Sequence, residues 1–218
     1  MRLPSLDERL QTAADLFTAC DTGADIGADH GRLSCYLLHH HICNKMIVAD
    51  ISADSLTKAR RLMNLHDLSD RAEFCVADGL DALKETSAQC IAICGMGGRL
   101  MSGILIKGES RLRGAELVLS CHTEIPRIRT TVCKIGYHIS QEKLVRAKGR
   151  YYVVMKAVPG KRAYSEKELY LGPIFMAERP PLWYPYLLWR QGVVACEQGH
   201  EAQLQWIREE LQSGNVDS

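Results

Sequence analysis

A chain of 218 residues, 46% apolar and 24% charged, is long enough to bury a core and too apolar for wholesale disorder. No apolar run approaches the roughly 18–20 residues of a membrane span, and Met1-Arg2 leads into Asp7, Glu8 and Arg9 instead of a hydrophobic signal region, so a cytoplasmic protein with no membrane segment is expected. The net charge of +1 is unevenly spread: eleven basic residues face two acids between Arg127 and Lys167, a local +9 that leaves −8 elsewhere. Such a stretch suits a phosphate-rich partner, and equally the solvated face of a hairpin.

Ser5-Leu-Asp-Glu8 spells a capping box before Leu10, Ala13, Ala14 and Phe17 at helical spacing, which predicts a first helix ending near Cys20. Short β-prone runs then alternate with helical ones. Strands are expected at 23–26, 45–49, 73–77, 89–94 and 116–120, and helices at 32–40, 52–64, 99–106 and 125–135, with a brief one after Gly79. This rhythm specifies a Rossmann-like α/β fold, a mostly parallel sheet with helices on both faces. After Gly136 two strand-like runs, 137–145 and 151–158, are joined by Arg146-Ala-Lys-Gly-Arg150 and predict an antiparallel hairpin with a five-residue connection. From Tyr164 the composition changes, with eight of the fourteen aromatics and all three tryptophans, so the chain divides into a domain at 1–162 and a helical extension at 163–218. Pro180-Pro181 suits a helix start, and Trp183, Tyr186 and Trp189 at threefold spacing read as docking residues in preference to base-stacking platforms.

Nine cysteines without a C-x-x-C pair read as reduced thiols that pack as small hydrophobes. Consecutive His39, His40 and His41 point in different directions on a helix, and no metal site is expected.

In open parallel sheets ligands bind beyond the carboxyl ends of the strands, and the glycines and acids gather there: Gly27, Asp29, His30 and Gly31 after the first strand, Asp50 after the second, Asp78 and Gly79 after the third, Gly95, Met96 and Gly97 after the fourth. The first loop lacks G-x-G-x-x-G and places Asp29 where a pyrophosphate would sit, which argues against a dinucleotide. Asp50 lies 23 residues past Gly27, the spacing at which a strand-two acid reaches a ribose diol. Asp29 suits a ligand ammonium or sulfonium and Asp78 an exocyclic amine, a set that fits S-adenosylmethionine; each acid taken alone also reads as a helix cap.

Asp25-Ile-Gly-Ala-Asp-His-Gly-Arg-Leu33, Asp78-Gly-Leu80 and Gly95-Met-Gly-Gly98, in this order, resemble the motifs of the bacterial tRNA (adenine-22-N1)-methyltransferase family. Arg9-Leu10, Gly136-Tyr137, Arg150-Tyr151-Tyr152 and Leu171-Gly172-Pro173 extend the likeness over about residues 5 to 180. The resemblance implies a class I methyltransferase fold with a seven-stranded sheet, S-adenosylmethionine as donor and N1 of a D-arm adenine in tRNA as acceptor. Two departures stand out. Ser120-Cys121-His122-Thr123 replaces a Gln-Pro-Asn-like turn, and the family's C-terminal pair of long helices looks curtailed to one long helix with a frayed end at Ser213 to Ser218.

Adenine N1 is a neutral lone-pair nucleophile, so the demand on the protein is placement and desolvation. Asp29, His30 and His122 are the candidates nearest the chemistry, Arg9 the candidate for the donor's carboxylate, and Arg127, Arg129, Arg146, Lys148 and Arg150 the candidates for tRNA phosphates. A monomer is expected. Two other readings stay open: a methyltransferase for a small molecule or protein, and a non-catalytic nucleotide-binding module.

Overall fold

The computed structural model describes residues 3, 5–196 and 198–213. Five strands, β1 (Cys20–Ile26), β2 (Cys43–Asp50), β3 (Ala72–Val76), β4 (Cys90–Met96) and β5 (Glu116–Cys121), run parallel, and β6 (Tyr137–Ala147) and β7 (Arg150–Pro159) close the sheet as an antiparallel hairpin. The order is β3-β2-β1-β4-β5-β7-β6, the seven-stranded Rossmann-like arrangement expected. The helices are α1 (Glu8–Leu16), α2 (Arg32–His39), α3 (Ala53–Leu65), α4 (Gly98–Lys107), α5 (Glu109–Leu112), α6 (Ile125–Lys134), α7 (Glu166–Leu171), α8 (Pro173–Glu178), α9 (Trp183–Val194) and α10 (Glu201–Ser213). No helix among the described residues is long and apolar enough to cross a membrane.

Successive strand side chains point to opposite faces, and the sheet divides its apolar residues accordingly. Met46 and Val48 of β2 and Cys90 and Ala92 of β4 pack with α1, α2 and α3 on one face. Ile47 and Ala49, Ile91 and Ile93, and Leu117 and Leu119 pack on the other, with Met101 and Leu105 of α4 and Ile128 and Val132 of α6. The tail joins this second core: Leu171, Phe175, Trp183, Leu187, Val194 and Ile207 belong to the same contiguous cluster. Each such side chain stabilises the fold by roughly 1.5–3 kcal/mol.

Several local expectations are corrected. The first helix is capped by Asp7, whose Oδ1 accepts from the N–H groups of Arg9 (3.1 Å) and Leu10 (3.0 Å), and it ends at Leu16. The charged acceptor two residues beyond Ser5 takes the orphan amides. The hairpin connection is the two-residue turn Lys148-Gly149, both at positive φ (49° and 74°), because a turn of that hand matches the strand twist and lets pairing run on to Ala147 and Arg150. The tail carries two packed helices, α9 and α10, in place of one long helix. Gly199, at φ 79°, lies in the connection between them. The expected frayed end falls largely at 214–218, outside the described residues. Trp183 and Tyr186 are buried as docking residues, whereas Trp189 is 44% exposed.

All nine cysteines are free thiols, and Sγ of Cys20 and Cys43, paired across β1 and β2, lie 3.5 Å apart.

Candidate functional site

The carboxyl ends of β1, β2 and β4 meet at one rim. Leaving β1, the chain turns through Gly27 (φ 72°) and Asp29 (φ 50°) to Gly31, the N-cap of α2. The turn is pinned to β2: Ala49 O accepts from the Gly27 and Ala28 amides, both at 2.9 Å, and Asp50 Oδ2 accepts from the Asp29 amide at 2.9 Å. Asp50 Oδ1 accepts from Ser52 N at 2.8 Å, so one carboxylate ties together the two loops on which a ligand would rest.

A cleft of about 320 Å³ opens over this turn, within the ~300–1,000 Å³ of small-molecule sites. Of the residues expected there, Arg9, Gly27, Asp29, His30 and Gly95 line it. Asp25, Arg32, Cys94 and Ser120 line it as well and were not singled out. Arg9 reaches in from α1, with its guanidinium 2.5 Å from Asp7 and 4.8 Å from the centre of the Tyr152 ring. Asp29 is exposed; its Oδ1 lies 3.4 Å from both Ser55 Oγ and His30 Nε2, and Lys58 Nζ stands 3.3 Å from the same imidazole nitrogen. A Cβ on Gly95 would meet nothing within 4 Å, so this turn leaves open space beside the cleft.

The remaining expected residues lie around the cleft instead of in its wall. Gly31 is buried beneath the turn as a cap, and the Met96 methyl lies 2.9 Å from where a Gly27 Cβ would be. Asp78 lines a second hollow of about 390 Å³ with Leu80, Arg99 and Lys107. Its Oδ2 is 2.7 Å from Lys107 Nζ, and this carboxylate holds the lysine above its ordinary range. Gly79, next in the chain, packs against Ile104 of α4. Gly97 caps α4 beside the turn after β5, where Gly98 N donates to Thr123 O (3.2 Å) and Arg99 N to Glu124 Oε2 (3.1 Å). A Cβ at Gly98 would lie 2.6 Å from the Thr123 carbonyl oxygen, so only glycine allows the two loops to touch. His122 lines a third hollow, against the tail.

Arg129 requires outright correction. It is fully buried, its Nε 2.7 Å from Glu142 Oε1 and its Nη1 donating to the carbonyls of Leu169 (3.1 Å) and Tyr170 (2.8 Å). It fastens the tail to the sheet and presents nothing to a phosphate. Arg127, Arg146, Lys148 and Arg150 are exposed, the last three at the hairpin tip.

Asp25 is the one acid in the buried half of β1, 3% exposed, with its Oδ2 accepting from Ser34 Oγ at 2.8 Å. Desolvation pushes its carboxyl up to about 6 despite the Ser34 hydrogen bond, with the Asp50 charge adding to the rise. Relative to the ordinary 3.8 the folded state binds this proton more tightly, so ionisation costs stability as pH rises from about 4, and costs it fully above about 6. Asp25→Asn is therefore expected to stabilise the fold by on the order of 2–3 kcal/mol near pH 8, the gain fading towards pH 4. Urea unfolding at several pH values checks this, and a gain independent of pH would contradict it.

Among the described residues no cluster of three or more His, Cys, Asp or Glu side chains is disposed to hold a metal ion.

Comparison with known proteins agrees with this architecture. The tRNA (adenine(22)-N(1))-methyltransferase of Bacillus subtilis is 33% identical over 158 residues, which cover 72% of this chain and 66% of that protein, just under two thirds of its length. Crystal structures of the B. subtilis m1A22 tRNA methyltransferase TrmK (24% identity, TM-score 0.83, 97% of each chain covered) and of M. capricolum TrmK with S-adenosyl-homocysteine (20%, 0.79, 95% of each) share the fold. The family model described as "Methyltransferase domain" matches residues 6–155, which span all five parallel strands and the candidate cleft, and the chain belongs to that family.

Proposed function

We propose that the protein transfers a methyl group from S-adenosylmethionine to N1 of the adenine at position 22, in the D-arm region of tRNA, acting as a cytoplasmic monomer. The observation that carries this reading is the presence of both charges in the lining of one small cleft, Asp29 together with Arg9 and Arg32, where the sheet's strands end. An α-amino-acid moiety needs such a pair, a carboxylate for its ammonium and a guanidinium for its carboxylate. The 33% identity to the B. subtilis enzyme supports this acceptor.

The residues present fit this donor. Asp50 at the end of β2 suits a ribose diol, Ile51 beside it is 74% exposed and offers an apolar face to a base, and the open space at Gly95 leaves room for the reacting groups. No phosphate is accommodated, because Asp29 stands before the N-terminus of α2. When bound, the donor's sulfonium supplies an electrophilic methyl with a neutral thioether as leaving group. The protein's share is to orient and dehydrate. N1 attacks through a lone pair, so Asp29, His30 and His122 act by holding groups in place and not by removing a proton. N1 lies on the Watson–Crick edge, so the target base must leave its pair or stack.

A labelled methyl donor offered with total tRNA tests the reading. Label recovered as 1-methyladenosine at position 22 supports it, label in small molecules or protein supports the other transferase reading, and donor binding without transfer supports a binding module. Within the tRNA reading, reversing Arg146, Lys148 and Arg150 to glutamate is expected to weaken tRNA binding and to flatten the slope of log affinity against log salt by roughly 2–3, sparing donor affinity. Unchanged tRNA affinity would remove the hairpin tip from the interface.

A further inference from the structure

The tail's aromatics do not all serve the core. Trp183 and Tyr186 are buried, but Trp189, one turn further along α9, lies 44% exposed with its ring centre 5.9 Å from Tyr186 and 5.4 Å from Tyr151 of β7. Two guanidiniums flank this surface, Arg190 at 5.9 Å from the Trp189 ring and Arg146 at 5.7 Å from the Tyr151 ring. The rings border a hollow of about 100 Å³ whose other wall is the turn after β5, with His122 and Thr123. That volume is well below what encloses a whole small ligand, so a planar group would lie against the rings.

The position is specific. Ser120 lines the donor cleft and His122, two residues on, lines the aromatic hollow. Two residues span at most about 7 Å, roughly twice the 3.4 Å step between stacked bases. Thr123 in turn touches the α4 N-terminus through Gly98. An exposed indole flanked by cations, a nucleotide or two from the reacting centre, is chemistry for a base and its phosphate: every base offers a π-face and every nucleotide a negative charge.

We propose that Trp189, with Tyr151 and Arg190, is a stacking platform for an unpaired tRNA base adjacent to the one that enters the donor cleft. This rests on the tRNA reading above. Trp189 acts as a positioning residue: it holds the neighbouring nucleotide so that the target base is kept out of the helix.

Methylation of a tRNA transcript by the unsubstituted protein, W189A and W189F separates the possibilities. W189A is expected to raise KM for tRNA roughly 5- to 150-fold, with donor affinity and melting temperature unchanged, and W189F to stay within about threefold of the parent. An unchanged KM in W189A, or W189F as impaired as W189A, would overturn the platform while leaving the tRNA reading intact. Absence of tRNA methylation by the unsubstituted protein would instead overturn that reading, and the platform with it.

Discussion

Asp50→Ala is expected to abolish measurable donor binding. The Asp50 carboxylate accepts from the amides of Asp29 and Ser52, and so fixes both the turn that carries Asp29 and the entry to α3. Hydrogen bonds to a charged group contribute about 1.5–3 kcal/mol each. Losing both releases a turn that holds a non-glycine residue at φ 50° and removes the acceptor proposed for a ribose diol. Donor affinity should fall about 100-fold or more by calorimetry. Asp50→Asn, which keeps one carbonyl oxygen but loses the charge, should be intermediate. Full affinity in the alanine variant would show that the end of β2 is no part of the donor site.

Arg129→Ala should be strongly destabilising. Its guanidinium and the Glu142 carboxylate are both wholly buried, and Glu142 also accepts from Ile174 N at 3.1 Å. Removing one member of such a pair leaves an uncompensated charge, at a cost of about 3–5 kcal/mol. For a chain of this size that corresponds to a melting temperature lower by roughly 6–20 °C. Replacing both, Arg129→Met with Glu142→Leu, should recover much of the loss, because two apolar groups leave no charge stranded. A melting temperature unchanged in Arg129→Ala would mean that the ion pair does not hold the tail.

These cases show what a sequence discloses and what it hides. Short apolar runs alternating with helical ones are local signals, and so the five parallel strands and the rim where they end are legible in the sequence. The hairpin reaches further than the sequence suggests because Arg146 and Arg150 look like loop residues, although the outer face of an edge hairpin is solvated. The sequence points Arg129 at a phosphate because charge along the chain carries no depth; its burial is decided by Glu142 on the next strand and by carbonyls 40 and 41 residues away. Asp25, in contrast, is legible in the sequence, as an acid between Ala24 and Ile26 in a strand whose two faces are both covered and both call for apolar side chains.

The common apolar cluster of sheet and tail has a mechanical corollary. Trp183 and Leu187 on α9 belong to the same contiguous apolar cluster as Ile26 and Ile93 of the strands that end at the donor cleft, so tail and sheet share one core with no solvated joint in it. On the tRNA reading, the enzyme behaves as a stiff template, and the distortion that delivers a folded-in adenine is borne by the nucleic acid. Transcripts whose D-arm is loosened by a mismatch should then turn over faster than fully paired ones.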